Sequence, residues 1–145
     1  MRTSFKKICI ASDHAGFNLK NQILDFLIKR NISVIDLGPY KDNSVDYPDF
    51  AKKVSRRVIS KKSDIGILVC GSGTGMAISA NKIKGIRAAV CYNSRSTRLS
   101  RQHNNANVIT IGSRMTNRST ALKLVSIFLR TEFEGGRHLR RVKKI

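Results

Sequence analysis

Asp64-Ile65-Gly66-Ile67-Leu68-Val69-Cys70-Gly71-Ser72-Gly73-Thr74-Gly75 decides the fold. Its first half is a continuous apolar run, the pattern of a strand covered on both faces rather than one half in water. Its second half places three glycines in five residues and turns the chain sharply. Met76 to Ile83 then reads as a helix. A buried strand feeding a glycine turn and a helix is one unit of a parallel α/β sheet.

The same alternation continues on either side. Upstream, Lys7 to Ser12 predicts a first strand, and Phe17 to Arg30 a helix with Leu19, Ile23, Leu24, Leu27 and Ile28 near helical spacing. Ser33 to Leu37 predicts a second strand, stopped by Gly38-Pro39. Pro48 suits the first turn of a helix running to about Ser60, because its missing N–H would be unpaired there anyway. Downstream, Ile86–Cys91 and Asn107–Gly112 predict two more strands. Ser94 to His103 is a basic helix, Thr116 to Phe128 an apolar one, and a basic tail follows Glu134-Gly135-Gly136. The expected fold is therefore α/β: a three-layer αβα sandwich around a Rossmann-like five-stranded parallel sheet. One domain spans 1–145, as expected for this length.

Composition narrows the classes. Hydrophobic residues make up 41% of the chain, yet no apolar run reaches the ~20 residues needed to span a bilayer. Met1 to Lys7 holds no apolar stretch of signal-peptide length, so a cytoplasmic location is expected. Cys9, Cys70 and Cys91 are then reduced thiols. The charge is lopsided: 28 Lys and Arg against 9 Asp and Glu, a formal +19. This fits nucleic-acid binding, steering of an anionic small substrate, or basic residues scattered over solvated surface.

Sheets of this kind bind ligands beyond the carboxyl ends of their strands. Those ends carry Asp13 and His14, Cys70 to Gly75, Cys91 to Asn93, and Gly112-Ser113-Arg114. Successive N–H groups of the glycine turn can form an anion nest at a helix N-terminus. The alternative is a tight turn with no ligand. The dinucleotide fingerprint fails, since Met76 stands where its third glycine belongs and no acid lies about 20 residues on. A P-loop fails for want of Gly-Lys-Ser/Thr. Cys70, where strand meets nest, is a candidate base, because a thiol near a helix N-terminus ionises more readily. Cys9 and Cys91 read as buried structural cysteines.

Three further features stay open on their residues alone. His14 and His103-Asn104-Asn105 are helix-end residues or groups that bind an anion or move a proton. Arg137 and Arg141, four apart, share a face if the tail is helical and could clamp a phosphate; a solvated tail is the alternative. Arg95, Arg98 and Arg101 recur every three residues and could meet nucleic-acid phosphates, but no zinc spacing, stacking aromatics or RNA-binding signature accompanies them.

Jointly, several motifs resemble ribose-5-phosphate isomerase type B. They are Ala11-Ser12-Asp13-His14-Ala15-Gly16, Asp46-Tyr47-Pro48-Asp49-Phe50-Ala51, Cys70 to Gly75, Ala80-Asn81-Lys82, Arg101-Gln102-His103-Asn104, Gly112-Ser113-Arg114 and Glu134-Gly135-Gly136-Arg137-His138. The resemblance runs in order over nearly the whole chain. It implies interconversion of ribose 5-phosphate and ribulose 5-phosphate through an enediolate, with no metal and no cofactor. Cys70 maps onto the base, His103 onto the ring-opening acid and Ser72 onto its assisting hydroxyl. Gly71, Ser72, Gly73, Thr74 and Gly75 map onto the enediolate-binding backbone. Asp13, His14, Tyr47, Asn104, Arg114, Arg137 and Arg141 map onto substrate contacts, so the tail at 132–145 is expected to complete the active site. A homodimer with shared sites, alone or paired into a tetramer, is also implied. One branch uses a glutamate just after the turn; Met76 stands there, which leaves Cys70 as the base. Galactose 6-phosphate and allose 6-phosphate isomerases share many of these motifs and form the enzymatic alternative.

Overall fold

The computed structural model describes all 145 residues. Eleven elements follow in order: β1 (Ile8–Ser12), α1 (Phe17–Ile28), β2 (Val34–Asp36), α2 (Tyr47–Ile59), β3 (Ile65–Cys70), α3 (Thr74–Asn81), β4 (Ala88–Val90), α4 (Ser94–Gln102), β5 (Val108–Gly112), α5 (Arg118–Arg130) and α6 (Arg137–Val142). The five strands form one parallel sheet in the order β2-β1-β3-β5-β4. The expected three-layer α/β architecture is what forms.

Alternation along the strands divides the core in two. Ile8, Ile10, Ile65, Ile67, Val69, Ile109 and Ile111 face α1 and α5, where Ile23, Leu27, Leu124 and Phe128 close over them. Cys9, Ala11, Leu68, Cys70 and Val108 face α2 and α3, packing on Phe50, Val54, Met76 and Ala80. Each large side chain removed from water contributes about 1.5–3 kcal/mol. The central strand β3 is buried at all six positions, which is why its sequence is apolar without a break.

Element ends differ from the sequence reading where a polar side chain sets the boundary. α3 begins at Thr74, two residues early, because Gly73 at φ 80° turns the chain and the helix starts at once. It stops at Asn81, whose amide exchanges two hydrogen bonds with the Ala88 backbone at 2.8 and 3.0 Å. β4 shrinks to three residues because the Arg87 N–H donates to the Asn107 side chain instead of a strand. α5 starts at Arg118, capped by Asn117 accepting from the Thr120 N–H at 2.8 Å. The tail is helical over α6. No helix is long and apolar enough to cross a membrane.

One buried charge organises the loop after β2. Lys20 is fully buried on α1, and its Nζ donates to both Asp36 carboxylate oxygens, at 2.8 and 2.9 Å, and to the Pro39 carbonyl at 2.7 Å. The same loop accepts the Ser12 N–H at the Gly38 carbonyl. The chain leading to Tyr47 is thus tied to the carboxyl end of β1.

Candidate active site

The carboxyl ends of β1, β3 and β5 converge as expected. Register places Ser12 beside Val69 and Cys70 beside Gly112. The turn after β5 fastens onto the turn after β3: Ser113 N–H donates to the Cys70 carbonyl at 2.8 Å and Arg114 N–H to the Gly71 carbonyl at 3.0 Å. Ser113 Oγ donates to the Ala15 carbonyl at 2.8 Å, joining the turn after β1.

Within this frame the Gly73 N–H donates to Cys70 Sγ at 3.1 Å. Thr74 N–H donates to Ser72 Oγ at 3.2 Å. The N–H groups of Gly71, Ser72 and Gly75 have no acceptor in the protein. The Gly75 N–H is one of the donors a helix N-terminus leaves unspent, and those of Gly71 and Ser72 belong to the turn before it. Gly73 is required by geometry: its φ is 80°, and a Cβ would stand 3.1 Å from the Gly112 nitrogen.

Side chains ring the turn. A Cβ on Gly71 would lie 2.9 Å from Arg114 Nη1, and one on Gly75 would lie 2.8 Å from the Tyr47 ring. The Arg114 guanidinium and the Tyr47 ring therefore flank the two ends of the turn. Asp13 is buried, and its Oδ1 accepts the Gly16 N–H at 2.9 Å. His14 is exposed, and its Nδ1 lies 3.2 Å from the Val45 nitrogen. Cys70 is the thiol at this mouth. The other two are remote from it along their strands or packed beneath helices, and burial raises both: Cys9 to about 11, and Cys91 likewise upward.

The remaining expected site residues are elsewhere. α4 runs antiparallel to the strands, so His103 and Asn104 at its end sit at the amino edge, just before β5 begins. Arg87 Nε binds the Asn104 carbonyl at 3.0 Å there. α6 packs at the same edge, carrying Arg137 and Arg141. The tail therefore does not complete the site of its own chain: the length of β3, roughly 16 Å, separates the two groups.

The amino edge is a built site in its own right. The His103 and His138 rings stack with centroids 4.1 Å apart and planes 11° from parallel. Glu134 Oε2 stands 3.9 Å from His103 Nε2 and 3.6 Å from His138 Nε2. These three residues bring donor atoms within 4.8 Å of one another. Parallel rings point their in-plane lone pairs side by side, whereas a tetrahedral ion needs donors that converge. The arrangement is a stack with a carboxylate, not a ligand cage. Burial, His103, Arg137 and Arg141 all lower the proton affinity of His138, and Glu134 opposes them. The sequence reading missed Glu134 and His138 as partners of His103; their i, i+4 spacing was the available signal.

The arginine stripe loses Arg101, while Arg95 and Arg98 stay exposed. Arg101 is 4% exposed, and its guanidinium donates to the Thr131 and Ala106 carbonyls and to Asn105 Oδ1. Burial, aided by the neighbouring Arg87 charge, lowers it to about 10. It pins the loop from 103 to 107 and offers nothing to a nucleic acid.

Comparison with known proteins gives one answer. The ribose/galactose isomerase family model matches residues 8–145. Ribose-5-phosphate isomerase B of Escherichia coli is 45% identical over 140 residues, covering 97% of this chain and 94% of that one. The solved structure of ribose-5-phosphate isomerase B from Clostridium thermocellum superposes with a TM-score of 0.94 at 53% identity, covering 95% and 93% of the two chains. That from Mycoplasma genitalium, solved with bound ribulose 5-phosphate, gives 0.92 at 45% identity, covering 99% and 95%.

Proposed function

The chain belongs to the ribose/galactose isomerase family, and from that premise we propose that it interconverts ribose 5-phosphate and ribulose 5-phosphate, with Cys70 as the base. The observation that carries this reading is the Cys70 thiol set against a turn whose Gly71, Ser72 and Gly75 N–H groups are free to donate.

The chemistry follows from those groups. The Cys70 thiolate takes the proton from C2 of the open-chain aldose. The C2–H electron pair forms the C1–C2 double bond, and the carbonyl electrons move onto O1, giving the enediolate. Oriented backbone donors stabilise charge as it develops on oxygen, the larger part of catalysis in such sites. The carried proton returns to C1, O2 becomes the ketone oxygen, and its proton is passed to O1. No electrons leave the sugar, so the step needs no redox cofactor.

The acid and the phosphate grip lie at the opposite edge, so we assign them to a second copy. His103 of a partner protonates the furanose ring oxygen, with the Ser72 hydroxyl assisting. Asn104, Arg137 and Arg141 of that partner, with Arg114 and His14 of the first chain, hold the hydroxyls and the phosphate. Asp13 and Tyr47 shape the pocket from the first chain, whose tail at 132–145 completes the partner's site. The homodimer is then the functional unit, acting in the cytoplasm. Relatives named for ribose 5-phosphate favour the pentose over a hexose phosphate.

A coupled assay on ribose 5-phosphate tests the reading. Wild type turns over, and Cys70→Ala loses about 10²–10⁴-fold or more in kcat, the usual yield of a positioned base. Near-normal turnover in Cys70→Ala removes the thiol from the mechanism.

A further inference from the structure

The tail motif Glu134-Gly135-Gly136-Arg137-His138 does more than carry a phosphate-binding arginine. Glu134 N–H donates to the Gln102 carbonyl at 3.1 Å, which fixes the carboxylate beside the end of α4. Gly135 and Gly136 then take φ of 66° and 53°, a conformation side chains resist, although a Cβ would meet nothing within 4 Å. Their purpose is direction rather than room. The reversal starts α6 at once and lays His138 on His103.

The result is two imidazoles in contact and one carboxylate reaching both. His138 is buried, whereas His103 and Glu134 are 37% and 49% exposed at the side chain. At 3.6–3.9 Å the carboxylate is too far for a direct hydrogen bond but close enough for its charge to act. Two stacked rings cannot both take a proton cheaply, because like charges in contact repel. Other charges lie nearby, among them Arg87, whose guanidinium donates to the Asn104 and Asn105 carbonyls. Arg137 and Arg141 come from α6 and act on His138, while Arg101 on α4 turns its guanidinium onto Thr131, Asn105 and Ala106.

We infer that Glu134 and His138 are positioning residues for the ring-opening step: the stack holds a single proton, Glu134 keeps it there, and the buried His138 leaves it on His103. The acid is thereby oriented by its own chain before substrate from the partner's site reaches it. This rests on His103 being the ring-opening acid.

The chain has only three histidines, so an NMR titration of their ring protons in the intact protein resolves each one. In Glu134→Gln the pair takes up its first proton at a pH lower by roughly half to one unit, the effect of one charge across ~4 Å of partly solvated space. In His103→Gln the His138 midpoint rises, since its neighbour no longer competes. His14 stays put in both. The acid form is lost as pH rises, so the alkaline limb of kcat/KM for ribose 5-phosphate moves down by the same half to one unit in Glu134→Gln. Deuterium exchange into C1 of ribulose 5-phosphate, which needs no ring opening, keeps its profile. Unmoved midpoints in both variants overturn the inference. Moved midpoints with an unmoved kinetic limb uphold the shared proton and overturn instead the assignment of His103 as the acid.

Discussion

The two edges of this sheet carry the two groups of residues assigned above to one proposed reaction, and they are built in different ways. The carboxyl edge consists of turns that directly follow strands: Cys70 to Gly75 after β3, Ser113-Arg114 after β5, Asp13-His14 after β1. Its geometry is set by strand register and a few backbone hydrogen bonds. The amino edge is made from the end of α4 and a tail that folds back over it, held by Arg101, a ring stack and two positive-φ glycines. In the proposed mechanism the base and its stabilising donors thus sit on the rigid sheet, and the acid and the phosphate grip sit on helix ends. This separation by a strand's length assigns the base and the acid of one proposed site to two chains.

That division can be broken one edge at a time. The largest effect is expected from His103→Ala, about 10²–10⁴-fold on ribose 5-phosphate turnover. Deuterium exchange at C1 of ribulose 5-phosphate stays near wild type in the same variant. Equal losses in both measurements would remove ring opening from the amino edge. Gly73→Ala attacks the other edge. It forces an alanine to φ 80° with its Cβ 3.1 Å from the Gly112 nitrogen, displacing the N–H that meets Cys70. Turnover and exchange should fall together by about 10²-fold, the value of one oriented donor. A loss confined to ribose 5-phosphate would show that the turn serves binding of the ring rather than the enediolate.

The smallest effect separates the thiols. Cys9 is pushed to about 11, so at pH 8 only about one molecule in a thousand carries its thiolate, the form that reacts. Cys91 is raised as well. Iodoacetamide in the native protein should therefore label Cys70 first, with activity lost in step, and mass spectrometry locates the adduct. Labelling of Cys9 or Cys91 ahead of Cys70 would contradict the assignment of Cys70 as the reactive thiol.

The edges also differ in how far they could be read from sequence. β3 and its glycine turn were legible because both signals are local: a continuous apolar run and glycines at a strand end. The site elements around it followed from topology alone, since parallel sheets gather strand-end residues. The amino edge was not legible as geometry. His103 and Arg137 were found by motif, but their distance from Cys70 depends on α4 running antiparallel to the strands, which no local pattern reports. Arg101 misled for a related reason. Its spacing with Arg95 and Arg98 marks a helix face, yet three carbonyl and amide acceptors from the loop and the end of α5 draw it inward. Nothing local marks Lys20 as buried, because its partners, Asp36 and Pro39, lie on β2 and the loop that follows it.

The claim that one active site takes its base and its acid from two copies is tested most directly by mixing subunits. Cys70→Ala and His103→Ala should each be nearly inactive on ribose 5-phosphate. In a mixed dimer one site carries both lesions and the other carries none. Denaturing the two variants together and refolding them should restore about a quarter of wild-type turnover for statistically mixed twofold dimers. If base and acid instead came from the same chain, every site in the mixture would carry one lesion, and the mixture would stay as inactive as its parents.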